Sequence, residues 1–242
     1  MTMLVPAIVA RPRLGTRTRE EMFALHSRHF ANVSRGKFLA DLDEKEWIIL
    51  LRDADGRTVG FSTQRLLAEI PGTGGARFLF SGDTIVAPEH WNTPYLAGCF
   101  GHLMLRLIRE HPRTPLYWFL ISKGFRTYRF LPVFFARFWP DPRSPAPPGG
   151  AELLRTVAAW KFGACYDAAD GLVKDAAGDR LAAPLAAVPE AKRRDPHTRF
   201  FLERNPQYAL GHELACLAPI TTANFTAPAR RVIAHTAPEW ME

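Results

Sequence analysis

The segment from Phe78 to Ile121 constrains the fold more than any other part of the sequence. Residues 78–86 have the apolar, strand-like pattern of a buried ribbon, residues 94–110 place apolar side chains on one helical face, and residues 116–121 are again apolar throughout. A strand, a helix and a second strand in this order form a parallel pair joined by a right-handed crossover. Because residues 116–121 lack a polar face, we expect this strand to be central in the sheet.

A second unit, just before this crossover, predicts antiparallel pairing. Trp47 to Leu51 and Thr58 to Leu67 are strand-like runs that flank the turn sequence Asp53-Ala54-Asp55-Gly56. Together with the crossover, this hairpin predicts a mixed sheet. The elements expected before it are a strand over 3–10 and helices over 18–33 and 36–42.

The last hundred residues have weaker patterns. A helix is expected over 125–138, and residues 140–150 are too rich in proline and glycine for regular structure. We therefore divide the chain into a core over residues 1–140, a Pro/Gly-rich loop over 141–150 and a C-terminal portion over 151–242 that completes the sheet and adds helices. The elements predicted within that portion are a helix near 151–160, a hairpin near 163–182, a helix over 196–204 and a strand over 213–219.

Composition limits the classes of function. The chain has 242 residues, a formal net charge of +7 and three widely spaced cysteines, so we expect a reduced, cytoplasmic protein without a disulfide framework or structural zinc. No apolar run approaches the roughly 20 residues of a membrane-spanning helix. The basic excess favours anionic partners, namely phosphorylated cofactors, acidic carrier proteins or nucleic acids. The run Lys192-Arg193-Arg194 has no nucleic-acid-binding motif around it, which makes a solvated face the better interpretation.

Several segments resemble the GCN5-related N-acetyltransferase superfamily. Val9-Ala10-Arg11-Pro12 resembles the end of its first strand, Thr58-Val59-Gly60-Phe61-Ser62 its third strand, and the segment from Asp83 to Glu89 its fourth strand. The helix over 94–110 stands where that superfamily has its cofactor-binding helix. The resemblance covers residues 5–138. It implies an α/β fold of the α+β type, with a mixed, mostly antiparallel twisted sheet flanked by helices and with the fourth and fifth strands splayed apart.

The resemblance also implies an activity. Proteins of this superfamily move an acyl group from a pantetheine thioester, which enters between the splayed strands, to an amine. Here the co-substrate would be acyl-coenzyme A or a phosphopantetheine thioester on an acyl carrier protein, and the acceptor a small-molecule amine. The positions implied to contact the donor are Ile85, Val86, Trp91, Asn92, Thr93, Tyr95, Ser122 and Lys123.

The loop expected to bind pyrophosphate departs from the superfamily pattern. The stretch from His90 to Gly98 contains no glycine before Gly98, and Pro94 has no N–H to offer a phosphate. Three interpretations stay open: an acyltransferase that uses free acyl-coenzyme A, one that takes its acyl group from a carrier protein and docks it on the basic surface, and a non-catalytic binding module for a pantetheine-bearing partner.

Four residues are candidates for proton transfer. Asp83, inside the fourth strand and next to a bulge expected at Gly82, is a candidate base, although an aspartate there can equally be a capping residue. Glu89 and His90 follow the strand end, where a solvated loop pair is the ordinary alternative. Tyr128 stands near the superfamily's tyrosine that protonates the leaving thiolate, with aromatic packing as its alternative role.

The acceptor side is implied to lie along the first helix. His29 and Phe30 are the candidate acceptor-binding residues. His26 and His29 share a helix face, but the sequence offers no third ligand, so no metal is expected. The dense aromatic stretch from Tyr117 to Trp139 is core, or else the lining of a tunnel for an acyl chain.

Overall fold

The structure is a computed structural model that describes residues 4–91, 93–175 and 178–242. The strands of this part are β1 Val5–Ala10, β2 Phe30–Ala31, β3 Trp47–Arg52, β4 Thr58–Leu67, β5 Arg77–Val86, β6 Leu116–Ser122, β7 Tyr166–Asp167, β8 Leu172–Val173, β9 Arg180–Leu181, β10 Glu213–Pro219 and β11 Glu239–Met241. The α-helices are α1 Thr16–His29, α2 Arg35–Asp43, α3 Tyr95–Glu110, α4 Phe125–Tyr128, α5 Phe130–Phe134, α6 Gly150–Phe162, α7 Ala183–Ala186, α8 Glu190–Arg193, α9 Pro196–Arg204 and α10 Ala227–Ala234.

Nine of these strands form one mixed sheet in the order β11-β1-β3-β4-β5-β6-β10-β8-β7. The β5–β6 and β1–β11 pairs are parallel, and every other pair in the sheet is antiparallel. Strands β2 and β9 pair separately. Helix α3 joins β5 to β6, as a parallel pair requires. The predicted fold class is confirmed: a mostly antiparallel mixed sheet flanked by helices.

Strand β3 shows why the sheet is covered on both faces. Ile48 and Leu50 belong to the apolar cluster under α1 and α2, while Ile49 and Leu51 belong to the cluster under α3. All four side chains are buried. Alternate residues of a strand point to opposite faces, so an uninterrupted apolar run needs a layer on each side. Burying such side chains contributes roughly 1.5–3 kcal/mol each.

Helix α3 is held against α10 by two glycines. A β-carbon at Gly98 would lie 2.0 Å from Thr236 Oγ1, and one at Gly101 would lie 2.3 Å from Ile233 Cγ1. His102 adds a polar contact, because its Nε2 lies 2.7 Å from the Thr236 carbonyl oxygen. The C-terminal helix therefore fixes the outer face of the helix that follows β5.

Two helix predictions need correction. The helix expected over 18–33 spans Thr16–His29, because residues 30–31 pair with β9. The helix expected over 125–138 is two short helices that end at Phe134. Beyond it the chain runs extended: Phe135 bridges to Phe225, and Trp139 exchanges both backbone hydrogen bonds with Leu217 at 2.7 Å. Pairing with distant strands outweighs local helical propensity there.

The expected hairpin over 163–182 is only partly formed. Tyr166–Asp167 and Leu172–Val173 pair as a short hairpin, but Arg180–Leu181 pairs with Phe30–Ala31 instead. This alternative pairing brings the segment after residue 178 to the end of α1. Within the described residues, no helix has the length and hydropathy needed to cross a membrane.

Candidate functional site

Strands β5 and β6 separate in the middle of the sheet. They pair in parallel from Arg77 with Leu116 to Ser81 with Leu120, and beyond these residues no register joins them. At that point β5 carries a bulge, because Thr84 and Ser81 pair with Ser62 and Gln64 and leave one extra residue on β5. A bulge bends its strand, so this one turns β5 away from β6. The prediction that the two strands part near Val86 and Ile121 is confirmed, and so is the bulge expected at Gly82.

The bulge depends on a glycine and on a buried polar chain. A β-carbon at Gly82 would lie 2.6 Å from Thr63 Oγ1. Next to it, Trp118 Nε1 donates to Ser81 Oγ at 2.8 Å, and Ser81 Oγ donates to Gln64 Oε1 at 2.8 Å. Gln64 Nε2 then donates to Ser62 Oγ at 2.7 Å. Satisfied buried networks of this kind fix one geometry, here the floor of the opening between the strands.

Backbone groups of β5 face the opening. Ala87 N–H donates to the Val59 carbonyl, which directs the backbone groups of Ala87 and Ile85 towards β4. Because neighbouring residues of a strand direct these groups to opposite sides, those of Thr84 and Val86 face the opening. The Val86 carbonyl accepts a hydrogen bond from Trp91 Nε1 at 2.7 Å, and His29 Nε2 lies 3.3 Å from the same oxygen.

Two cavities meet in this opening. The first, of about 580 Å³, lies between the end of β5, the start of α3 and the segment from Leu181 to Lys192. The second, of about 260 Å³, lies on the other side, against α1, α2 and the end of α6. Both are lined by Phe30, Gly82, Thr84, Ile121, Lys123 and Thr127. A molecule bound in one cavity can therefore reach a molecule bound in the other through the gap between the strands.

A buried ion cluster borders the second cavity. Lys123 Nζ lies 2.8 Å from Asp179 Oδ1 and 3.4 Å from Glu213 Oε1. His26 Nε2 lies 3.3 Å from Asp179 Oδ2 and 3.6 Å from Asp83 Oδ1. These side chains come from α1, β5, the residue directly after β6, the segment before β9, and β10. The cluster therefore joins the C-terminal portion to both strands that border the opening.

Burial and neighbouring charges shift the pKa values in this cluster. Burial alone would lower the pKa of His26, but Asp179 and Asp83 outweigh it and raise the pKa to about 9. Burial raises the pKa of Glu213 to about 7, although Lys123 opposes this. Burial would raise the pKa of Asp179, but His26 and Lys123 hold it well below its usual range. His26 is therefore an imidazolium at neutral pH.

The same residues have the spacing of a metal site. One ligand atom from each of His26, Asp83 and Asp179 lies within 4.8 Å of the others. The Lys123 ammonium lies 2.8 Å from Asp179 and already neutralises this carboxylate. The donor set therefore fits an internal ion cluster better than a cation site.

The mouth of the first cavity is aromatic and basic. The Arg126 guanidinium lies 4.5 Å from the ring centroid of Trp91 and donates to the Leu185 carbonyl at 2.9 Å. Lys192 lines the same mouth.

The first intrahelical bond of α3 runs from Gly98 N–H to the Pro94 carbonyl. The amides that precede it, those of Leu96 and Ala97, have no acceptor within the helix and can bind an anion.

Most of the predicted donor and acceptor residues do border the cavities. Those that line the first cavity are His29, Phe30, Ile85, Val86, His90, Trp91, Thr93 and Lys123. Asp83 lines the second cavity. Glu89 is exposed, Tyr95 packs against the core, and Ser122 is fully buried, so these three border neither cavity. Asn92 lies outside the described residues.

The structure overturns the role predicted for Tyr128. Its side chain is fully buried, and its hydroxyl donates to the Pro140 carbonyl at 2.7 Å. Its ring packs against Phe138, Phe200 and Phe201. Burial raises the pKa of the Tyr128 phenol above its usual range. A hydroxyl with a fixed acceptor and no access to either cavity cannot reach a leaving group.

Distant segments without a local sequence signal contribute to the site. Asp179 and Glu213 complete the ion cluster, and Leu181, Leu185 and Pro189 line the first cavity. In the sequence, His26 stands out only because it shares a helix face with His29. The ion pairs of the cluster join residues between 56 and 153 positions apart in the chain, and no local motif surrounds them. The basic run at residues 192–194 was the one visible signal, since Lys192 borders the cavity.

The comparisons with known proteins show weak similarities of fold. No family model matches the chain, and no curated protein matches it. An Enterococcus faecalis protein of unknown function, described as a probable N-acyltransferase, has a TM-score of 0.42 and 13% identity over 56% of this chain, which covers 33% of that one. The Escherichia coli GNAT family N-acetyltransferase YhbS, solved with CoA, has a TM-score of 0.40 and 14% identity over 55% of this chain and 71% of its own. Arabidopsis thaliana NAA60, solved with a bisubstrate analogue, has a TM-score of 0.42 and 10% identity over 56% of this chain and 86% of its own.

At these TM-scores the fold assignment rests on the sheet of this chain itself. The mixed, mostly antiparallel sheet flanked by helices and the opening between β5 and β6 are the features of the fold that the resemblance to the GCN5-related N-acetyltransferase superfamily implies. These predicted features of the fold are confirmed.

Proposed function

We propose that this protein is an N-acyltransferase that moves an acyl group from a pantetheine thioester in the first cavity to an amine in the second. The observation that carries the proposal is the opening between β5 and β6, in which the two cavities meet. An extended arm can pair with the backbone groups of Thr84 and with the Val86 N–H as an added strand would, while the Val86 carbonyl keeps its bond to Trp91. Its thioester then lies between the two cavities.

The residues present can support each proton transfer. The amine nitrogen attacks the thioester carbonyl carbon, the C–N bond forms and the C–S bond breaks. Asp83, which lines the second cavity, accepts the amine proton. A backbone N–H facing the opening, on Thr84 or Val86, stabilises the oxyanion. The departing sulfur takes up a proton, for which His90 in the first cavity is the candidate donor.

The donor carries at least one phosphate in this proposal. Arg126, Lys192 and the amides at the start of α3 stand at the mouth of the first cavity, where a phosphate on the pantetheine arm would emerge. Acyl-coenzyme A and an acylated carrier protein share this phosphopantetheine chemistry. They differ in that docking of an acidic carrier weakens with salt, whereas binding of a small thioester depends on salt much less.

The test compares two neighbouring carboxylates. Turnover is followed by release of free thiol and by the mass of the acylated amine, with acyl-coenzyme A and acyl carrier protein as donors. We expect Asp83→Asn to lower kcat by about 100-fold or more. Glu89→Gln, which removes a charge outside both cavities, should change kcat less than about twofold.

Donor binding is measured separately. A donor at about 100 times its Kd stabilises a protein by roughly 2.7 kcal/mol, which raises Tm by about 5–10 °C for a chain of this size. The Asp83→Asn variant should show the same donor-induced rise in Tm as the wild-type protein. Thiol release that Asp83→Asn leaves unchanged would refute the role of Asp83. A donor-induced Tm shift without any transfer would favour a non-catalytic binding module, and the absence of any shift would refute the proposal.

A further inference from the structure

The second cavity has a carboxylate where the acceptor nitrogen must lie. Asp83 is in the bulge of β5, beside the opening, and 26% of its side chain is exposed. Its nearest cation is His26 Nε2, at 3.6 Å. An amine at this end of the cavity therefore finds an acceptor for its N–H groups.

A poorly neutralised cation stands elsewhere in the same cavity. Lys161, on the last turn of α6, keeps 16% of its side chain exposed, and its Nζ lies 5.0 Å from the ring centroid of Phe80. The nearest carboxylate is that of Glu44, at 3.7 Å, which already accepts a hydrogen bond from Arg65 at 2.8 Å. No residue of the described ranges accepts a hydrogen bond from Lys161, so up to three ammonium donors are available to an anion.

The other lysines of this cavity are already bound. Lys37 lies 2.8 Å from Asp175, and Lys123 lies 2.8 Å from Asp179. For Lys161, burial lowers the pKa and the neighbouring Lys45 lowers it further, since both disfavour the charged form. A bound anion would relieve both effects.

The spacing of the two ends limits the size of the acceptor. Phe80, beneath the Lys161 ammonium, and Asp83 are three residues apart on β5. At about 3.3 Å per residue, the backbone positions of these two residues lie roughly 10 Å or less apart along the strand, and the Lys161 Nζ lies a further 5.0 Å from the Phe80 ring centroid. A cavity of about 260 Å³ with a partly exposed carboxylate at one place and an ammonium without a close hydrogen-bond acceptor at another is complementary to a small molecule that carries an amine and an acid.

We propose, on the basis of the proposed function, that the acceptor is an amino acid whose carboxylate binds Lys161 and whose amine lies beside Asp83. The reaction then yields an N-acyl amino acid. The carboxylate takes no part in bond making, and it places the amine at the opening. Lys161 is a specificity residue for the acceptor and does not touch the reacting atoms.

The experiment compares amino acids with their carboxamides, which keep the amine but lose the negative charge. The pairs are β-alanine, γ-aminobutyrate and ε-aminocaproate, each with its amide. For at least one pair we expect kcat/KM to favour the acid by about tenfold or more. In Lys161→Met this preference should fall to less than about twofold, because KM for the acid rises, while kcat/KM for the amide stays unchanged.

Two variants serve as controls. Lys37→Met removes a lysine of the same cavity whose charge is already paired, and it should keep the preference. Lys161→Arg keeps the charge and should keep part of the preference. Equal use of acids and amides by the wild-type protein would overturn the proposal, and so would a preference that survives in Lys161→Met.

The design separates this proposal from the one on which it rests. Transfer to the amides without preference for the acids contradicts only the role of Lys161. Absence of transfer to every amine, charged or neutral, contradicts the acyltransferase itself. The wild-type comparison of acids with amides needs no variant, so a variant that fails to fold leaves the test decisive.

Discussion

The protonated state of His26 predicts a specific pH dependence of stability. In the unfolded chain the imidazole has a pKa of 6.5, and in the folded protein burial is outweighed by Asp179 and Asp83, which raise the pKa to about 9. The folded state therefore holds the proton more tightly. Its stabilising contribution is fully present below pH 6.5 and is lost as the pH rises through about 9.

The magnitude follows from the difference between the two pKa values. At about 1.4 kcal/mol for each pH unit, a change from 6.5 to about 9 corresponds to roughly 3 kcal/mol. The imidazole side chain is only 6% exposed, so solvent screens its contacts with the two carboxylates weakly. A loss of this size is a large fraction of the 5–15 kcal/mol that stabilise an ordinary domain.

The assay is urea denaturation of the wild-type protein and of His26→Gln at a series of pH values. Glu213 titrates in both proteins, so subtracting the two free energies of unfolding leaves the contribution of His26. This difference should shrink by roughly 3 kcal/mol between about pH 6 and about pH 9.5. A difference that stays constant over this range would refute the ion cluster as described, because it would mean that His26 gains no proton affinity on folding.

Three further predictions concern single substitutions. Tyr128→Phe removes the hydrogen bond to Pro140 and should lower the free energy of unfolding by about 1 kcal/mol. The rate of acyl transfer should change less than about twofold. A large loss of kcat with unchanged stability would show that Tyr128 takes part in the reaction. Gly98→Ala forces Thr236 to move and should lower the free energy of unfolding, measured in urea, by about 1–3 kcal/mol; an unchanged value would contradict the packing of α3 on α10. Lys123→Met leaves the carboxylates of Asp179 and Glu213 without their cation and should lower the free energy of unfolding, in the same assay, by about 3 kcal/mol or more. A decrease of less than about 1 kcal/mol would contradict this prediction.

The first half of the fold could be predicted because its signals are local. The hairpin around Asp53 and Gly56, the crossover after Val86 and the apolar run of β6 each specify their own neighbours. The strand predicted over 213–219 matches β10, although its place beside β6 had no local signal. Bulge and opening were predicted together, because Gly82 interrupts a strand that otherwise reads as continuous.

The site was less predictable because distant segments complete it. Asp179 directly precedes the two-residue strand β9, and Glu213 begins a strand, so neither position differs locally from a solvated carboxylate. For Tyr128 the local signal is misleading. Its distance from β6 along the chain fits the tyrosine position that the resemblance implies. However, Trp139 pairs with Leu217, and Pro140 then supplies the carbonyl that holds the hydroxyl. Which face a short helix presents to its surroundings depends on such long-range pairing. The spacing of residues along the sequence does not specify that pairing.

The opening between β5 and β6 is maintained by contacts on both of its edges. On the β5 edge, the bulge at Gly82 turns the strand, and Trp91 with His29 occupies the Val86 carbonyl that a neighbouring strand would otherwise bind. On the β6 edge, Asp179 and Glu213 hold Lys123.

Closing the gap would therefore break hydrogen bonds and ion pairs that are already satisfied, at a cost of at least 1–3 kcal/mol for each buried group left unpaired. The opening is thus present before any ligand arrives, with the Val86 carbonyl bound to Trp91 and the backbone groups of Thr84 facing the gap. A thioester arm that binds there gains strand-like hydrogen bonds without first having to separate the strands.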